Sequence, residues 1–240
     1  MNYDSVLSYI RRLTTFDIQA WRYLPYKVKM KLVGIDLSLV SIEQSGLSYE
    51  RSHLHSDSGG PDLKGLLDRL PIEKSDAVID LGCGKGGAML TLAQYPFLFV
   101  DGVELSNQLA DTAFKNLQTK RISNARVFCM DAADFVDLDP YTHIYMYNPF
   151  PELVMRCVLK NLNESLLRRE RSLTLIYKNP VFNSLLLEHG FTKILQTEQR
   201  HRDYPAFGVY LADGTSARSR LRGSTDTSDL AQKCAGSGGS

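Results

Sequence analysis

The chain has 240 residues, 43% of them apolar and 23% charged, with 28 basic against 27 acidic side chains and a formal charge of +1. That length and apolar content suit one large domain with appendages and exclude a wholly disordered chain. The balanced charge argues against a dedicated nucleic-acid protein, and no apolar run reaches the roughly 18–20 residues of a membrane span.

Met1–Leu13 lacks a basic start followed by an apolar stretch and a small-residue cleavage site, so a cytoplasmic, unexported protein is expected. Cys83, Cys129, Cys157 and Cys234 stand far apart with no C-x-x-C pair. This fits thiols in a reducing compartment rather than a disulfide framework or a zinc site. His53 and His55 have no ligand partners at metal spacing and read as a polar loop; no metal is expected.

Residues 1–75 are weakly patterned and read as a helical extension or lid, with helices at Val6–Thr14 and Pro61–Leu70. Between them Trp21, Tyr23 and Tyr26 interleave with Arg22, Lys27, Lys29 and Lys31. Aromatics beside bases suit stacking on a nucleic acid. They also suit an amphipathic segment that packs its aromatics inward and leaves its lysines in water, which is the expectation here.

Residues 76–211 alternate strand-like and helix-like segments. Ala77–Ile79 enters a glycine cluster followed by a helix over Ala88–Ala93. Phe97–Val100 leads through Gly102 and Val103 to Glu104, and Gln108–Leu117 reads as a helix. Then come strands at Ala125–Cys129 and Ile144–Tyr147, a helix at Glu152–Leu162, a strand at Leu173–Tyr177 and a helix at Val181–Leu187. Lys193–Gln196 and Gly208–Leu211 close the zone as a hairpin. Short, fully apolar strands separated by helices predict an α/β domain with a doubly wound, mostly parallel sheet, whose ligand sits at the carboxyl ends of the strands. Residues 212–240 form a tail: from 213 onward 14 of 28 positions are Gly, Ser or Thr and none is aromatic. Such a composition buries too little apolar surface to offset its ordering entropy.

The chemistry concentrates after the first strand, in Asp80-Leu-Gly-Cys-Gly-Lys-Gly-Gly-Ala88. Gly82, Gly84 and Gly87 satisfy G-x-G-x-x-G, and Glu104 lies about 20 residues on, as a dinucleotide fold requires. The run alone does not separate a nicotinamide cofactor from other nucleosides. Asp80 tilts the reading, because a carboxylate at the mouth repels a pyrophosphate and attracts a cation. S-adenosylmethionine brings an ammonium and a sulfonium, and no phosphate.

With these residues the chain resembles the class I S-adenosylmethionine-dependent methyltransferases over roughly 76–211. DLGCGKGGA is similar to their first motif, and Glu104 to the acidic residue that ends their second strand. Cys129-Met-Asp131-Ala132 is similar to the segment after the third strand, and Asn148-Pro149-Phe150-Pro151 to the motif after the fourth. The resemblance implies a Rossmann-like fold. It places Gly82, Gly84 and Gly86 against the methionine part, Glu104 on the ribose, and Asp131 and Ala132 at adenine. Gly34-Ile-Asp36-Leu-Ser38, Glu43 and Gly46–Tyr49 resemble the preface of a bacterial subfamily of unassigned substrate. His53–Gly60 departs from that group's Tyr-x-Pro stretch. Asn148-Pro-Phe also resembles motifs of amino-group methyltransferases and of the histone lysine methyltransferases of this fold.

Each residue also has a structural alternative. Asp80 suits a helix cap, Glu104 an N-terminal carboxylate, Asp131 a turn, and Asn148-Pro149 a strand stop. The expected function is methyl transfer to a nitrogen of a small-molecule or protein acceptor, with Asn148 and Phe150 as catalytic candidates. A nicotinamide oxidoreductase and a non-catalytic nucleoside- or RNA-binding module remain the other classes.

Overall fold

The computed structural model describes residues 18–38, 58–147, 150–199 and 205–215. The expected helix Val6–Thr14, the pair His53 and His55, Glu43, Gly46–Tyr49, most of the tail, and Asn148 with Pro149 lie outside these residues.

The elements are α1 (Ile18–Leu32), α2 (Pro61–Leu67), β1 (Val78–Leu81), α3 (Gly87–Leu92), β2 (Val100–Glu104), α4 (Asn107–Thr119), β3 (Val127–Cys129), β4 (His143–Tyr147), α5 (Glu152–Arg168), β5 (Leu173–Lys178), α6 (Asn183–Glu188), β6 (Thr192–Gln196) and β7 (Phe207–Ala212). The strands form one sheet in the order β3-β2-β1-β4-β5-β7-β6. Every pairing from β3 to β5 is parallel, and β7 runs antiparallel to both β5 and β6. The chain order reverses between β1 and β4, so the crevice of a doubly wound sheet opens there. The terminal hairpin is the β6–β7 pair.

Burial on both faces explains the unbroken apolar strands. On one face Ile79, Ile144, Leu175 and Tyr177 pack against α5 and α6; on the other Val78, Tyr145, Ile176 and Val209 meet α1 to α4. Helix α5 runs to Arg168, beyond the expected Leu162, because Leu162, Ser165 and Leu166 continue its buried stripe.

Helix α1 corrects the expectation for the aromatic segment in part. Tyr23 and Met30, seven residues apart, share the buried stripe, whereas Trp21 lies about 200° round the helix from Tyr23 and is 54% exposed. Asp62 at the start of α2 holds α1 in place, accepting from Arg22 at 3.0 Å and from the Tyr23 hydroxyl at 2.9 Å. Among the described residues Cys83 and Cys129 are free thiols. Among the described residues no helix is long and apolar enough to cross a membrane.

Candidate functional site

The turn between β1 and α3 is built from backbone that side chains would spoil. Gly86 sits at φ 78° as the N-cap of α3, and a Cβ there would lie 3.3 Å from Ala113 Cβ on α4. The turn is stitched to β2, since Gly82 N and Cys83 N both donate to Val103 O, at 2.8 and 3.0 Å. Beneath it Gly102 gives the room: a Cβ there would meet Met89 Sδ at 2.6 Å and Cys83 Cβ at 2.8 Å.

Two carboxylates border this turn at the carboxyl ends of neighbouring strands. Glu104 is buried and accepts from Gly84 N at 2.8 Å through Oε2 and from Ser106 N at 2.9 Å through Oε1. A carboxylate offers about four acceptor positions, so these bonds leave capacity for hydroxyl donors. Asp80 is 2% exposed, and its carboxylate has no hydrogen-bond or ion-pair partner among the described residues. Burial, and then the charge of Glu104, push the Asp80 carboxyl well above the usual carboxylate range. Burial also raises Glu104, against the lowering effect of its backbone donors. Two adjacent buried carboxylates, one with no donor among the described residues, make surroundings that favour a cation over an anion. The nearby lysine does not supply it: Lys85 turns away to Asp36 Oδ2 and Ser38 Oγ, both at 2.8 Å.

The other wall is Ser58–Gly60. Tyr145 on β4, paired with Asp80 in the sheet, donates its hydroxyl to Ser58 O at 3.3 Å, and Gly60 N donates to Thr91 Oγ1 at 2.9 Å. A Cβ on Gly59 would collide with the Gly87 carbonyl, so this strip lies directly on the start of α3.

After β3, Asp131 Oδ1 accepts from Ala133 N at 2.8 Å, a turn-closing bond, and Ala132 is buried beside it. Met130 N donates to Glu104 O at 3.0 Å, which brings this turn alongside the end of β2. Phe150 is buried in the α5-side core near Met146 and Val154. The structure thus gathers Asp80, Gly82, Gly84, Gly86 and Glu104 round one turn, with Asp131 and Ala132 on the β3 side.

The sequence reading missed three groups. Lys178, at the end of β5, is buried with Nζ 4.6 Å from the centre of the Tyr147 ring and 5.6 Å from that of Phe207. Its signal was the repeated strand ending, Tyr147-Asn-Pro and Lys178-Asn-Pro. Asp36, marked in the sequence only as part of Gly34–Ser38, and Asn116, which no local pattern marks, meet the glycine turn only through the fold. A cleft of about 410 Å³, lined by Arg22, Asp62, Arg69, Gln196 and Phe207 among others, opens between α2 and the ends of β6 and β7.

Comparison with known proteins agrees with this geometry. Residues 74–151 match the family model described as "Putative methyltransferase". That stretch carries both carboxylates and the whole turn. Over this stretch the chain is similar to methyltransferases. A protein of Methanococcus vannielii described as a probable cobalt-precorrin-6B C(15)-methyltransferase (decarboxylating) is 26% identical over 134 residues, covering 56% of this chain and 66% of that protein. A tRNA1(Val) (adenine(37)-N6)-methyltransferase of Yersinia enterocolitica is 32% identical over 82 residues, covering 33% of this chain and 31% of its own length. The chain thus spans less than two thirds of either relative. The solved structure of a ribosomal protein L11 methylase from Lactobacillus delbrueckii subsp. bulgaricus shares the methyltransferase fold at a TM-score of 0.50, with 16% identity over 63% of this chain and 76% of that one.

Proposed function

We propose that this protein transfers a methyl group from S-adenosylmethionine to a nitrogen of a small-molecule or protein acceptor. The observation that carries the cofactor reading is the carboxylate of Asp80, buried beside Glu104 with no donor among the described residues. An ammonium-bearing ligand supplies the missing charge, whereas a pyrophosphate would add anions to two carboxylates. When bound, S-adenosylmethionine supplies a methyl carbon made electrophilic by its sulfonium.

In this reading Asp80 holds the ammonium, and Gly82, Gly84 and Gly86 let the main chain approach the methionine part. Glu104 accepts from the ribose hydroxyls, and Asp131 and Ala132 border adenine. Asn148, directly after β4, orients the acceptor amine by accepting its N–H bonds, so that the nitrogen lone pair meets the methyl carbon in line. Transfer in that arrangement would form the N–C bond as the S–C bond breaks, with the electron pair going to sulfur and the product nitrogen's proton to solvent. Phe150 backs the turn as an apolar wall that excludes water. The two relatives are named for a carbon and for an adenine nitrogen acceptor, so their names do not decide the atom. Asn148 supports nitrogen.

The test is incubation of the protein with labelled methyl donor and cell extract, separated into protein, RNA and small molecules. Label in an N-methylated protein or small molecule supports the proposal; an O- or C-methylated product contradicts the acceptor assignment.

A further inference from the structure

Lys85 occupies the variable place inside Gly84-Lys-Gly86, yet its side chain is only 5% exposed and ends on a segment 49 residues earlier in the chain. Its ammonium meets Asp36 Oδ2 and Ser38 Oγ, both at 2.8 Å, while Asp36 Oδ1 accepts from Ser38 N at 2.9 Å and from Ser38 Oγ at 2.7 Å. Hydrogen bonding by Lys85 and Ser38 keeps the Asp36 carboxyl below its usual value although partial burial opposes this. From the other side Asn116 on α4 clamps the same two segments. Its Nδ2 donates to Asp36 O and to Lys85 O, each at 2.9 Å, and its Oδ1 accepts from Asp36 N at 3.0 Å. One turn earlier on α4, Ala113 abuts Gly86. Ile35–Ser38, the glycine turn and α4 are therefore one locked unit.

The lock also settles where the lysine charge goes. A lysine beside Asp80 and Glu104 would neutralise them itself and compete with a cationic ligand. Asp36 removes that competition by holding the ammonium on the far side of the turn.

We propose that Lys85 is a positioning residue for the cofactor, whose ion pair with Asp36 holds the glycine turn in its binding form and makes cofactor affinity depend on the docking of Ile35–Ser38. This rests on the reading that the turn binds S-adenosylmethionine. Because linkage is reciprocal, ligand binding at the turn must tighten the docking of Ile35–Ser38, which lies behind Lys85 rather than in the cofactor's own contact set.

The experiment titrates S-adenosylhomocysteine into the full chain and into Lys85→Met, Lys85→Arg and Asp36→Asn, and follows amide exchange at residues 35–38 with and without ligand. The wild type is expected to bind and to slow exchange at 35–38. Lys85→Met and Asp36→Asn are expected to bind about three- to tenfold more weakly and to lose that slowing, with Lys85→Arg recovering part of both. Asp36 is half exposed and its amide replacement is isosteric, so Asp36→Asn decides the matter if Lys85→Met does not fold. A lower melting temperature with unchanged affinity and unchanged ligand-induced slowing would show a purely structural ion pair and overturn the proposal. A wild type that takes up no S-adenosylhomocysteine would overturn the cofactor reading itself, and this inference with it.

Discussion

Asp80 is a side chain that the fold alone does not reward, since a buried carboxylate with no donor among the described residues costs stability until a cation arrives. Its carboxyl titrates above the usual range, so between the ordinary and the raised value the folded ligand-free protein binds more protons than the unfolded chain. Stability of the ligand-free protein from this group therefore falls as pH rises through that window. Asp80→Asn is expected to raise the melting temperature near pH 7 and to lose that advantage near pH 4, where the wild-type carboxyl is protonated; thermal scans at the two values check it. The same variant, and Glu104→Ala, should weaken S-adenosylmethionine binding by roughly tenfold to hundredfold, the loss of charge-assisted bonds worth about 1.5–3 kcal/mol. Calorimetry showing unchanged binding in both would remove these residues from the site. Affinity in the wild type should climb with pH as Asp80 and Glu104 ionise, later than ordinary carboxylates do, and decline above about pH 8 as the ligand's ammonium loses its proton. Asn148→Ala should lower turnover strongly and leave cofactor affinity nearly intact, a split that steady-state kinetics beside calorimetry resolves. Asp80 and Glu104 were legible in the sequence because Glu104 ends β2 and Asp80 stands one residue before the end of β1. Lys178 was marked only by the Asn-Pro ending it shares with Tyr147; its rings come from β4 and β7, and strand pairing alone brings them together.

At the scale of elements the glycine turn depends on what supports it. Gly102 lies in the middle of β2, where a Cβ would press on Met89 of α3 and Cys83 of the turn at 2.6–2.8 Å. Gly102→Ala should cost about 1–3 kcal/mol and weaken cofactor binding together, because relief of the clash moves the turn; denaturant unfolding and a titration of the same sample test both. The strands of the sheet and the order of its helices were readable because their apolar runs are short and bounded by glycine, proline or polar residues. Helix α1 was harder to read. Pro25 interrupts its hydrogen bonding, and its lysines blur the apolar stripe that Tyr23 and Met30 define only once packed. Asp131 shows the limit of motif reading: its place after β3 matched the expectation, while the bond to Ala133 N is the turn role weighed against it.

For the whole molecule, the sheet order puts the β1 and β2 carboxylates and the β4 and β5 endings on one edge, with α1, Ile35–Ser38 and Ser58–Gly60 packed round it. Contacts such as Lys85 with Asp36 and Tyr145 with Ser58 join positions 49 and 87 residues apart, which periodicity and spacing do not reveal. The central claim is that this edge binds S-adenosylmethionine rather than a phosphate-bearing nucleoside. Its most direct measurement is thermal unfolding of the full chain with S-adenosylmethionine, S-adenosylhomocysteine or NAD, each at saturating concentration. Either sulfur ligand at 100 times its dissociation constant should add about 2.7 kcal/mol of stability, and NAD none. Stabilisation by NAD alone would contradict the account.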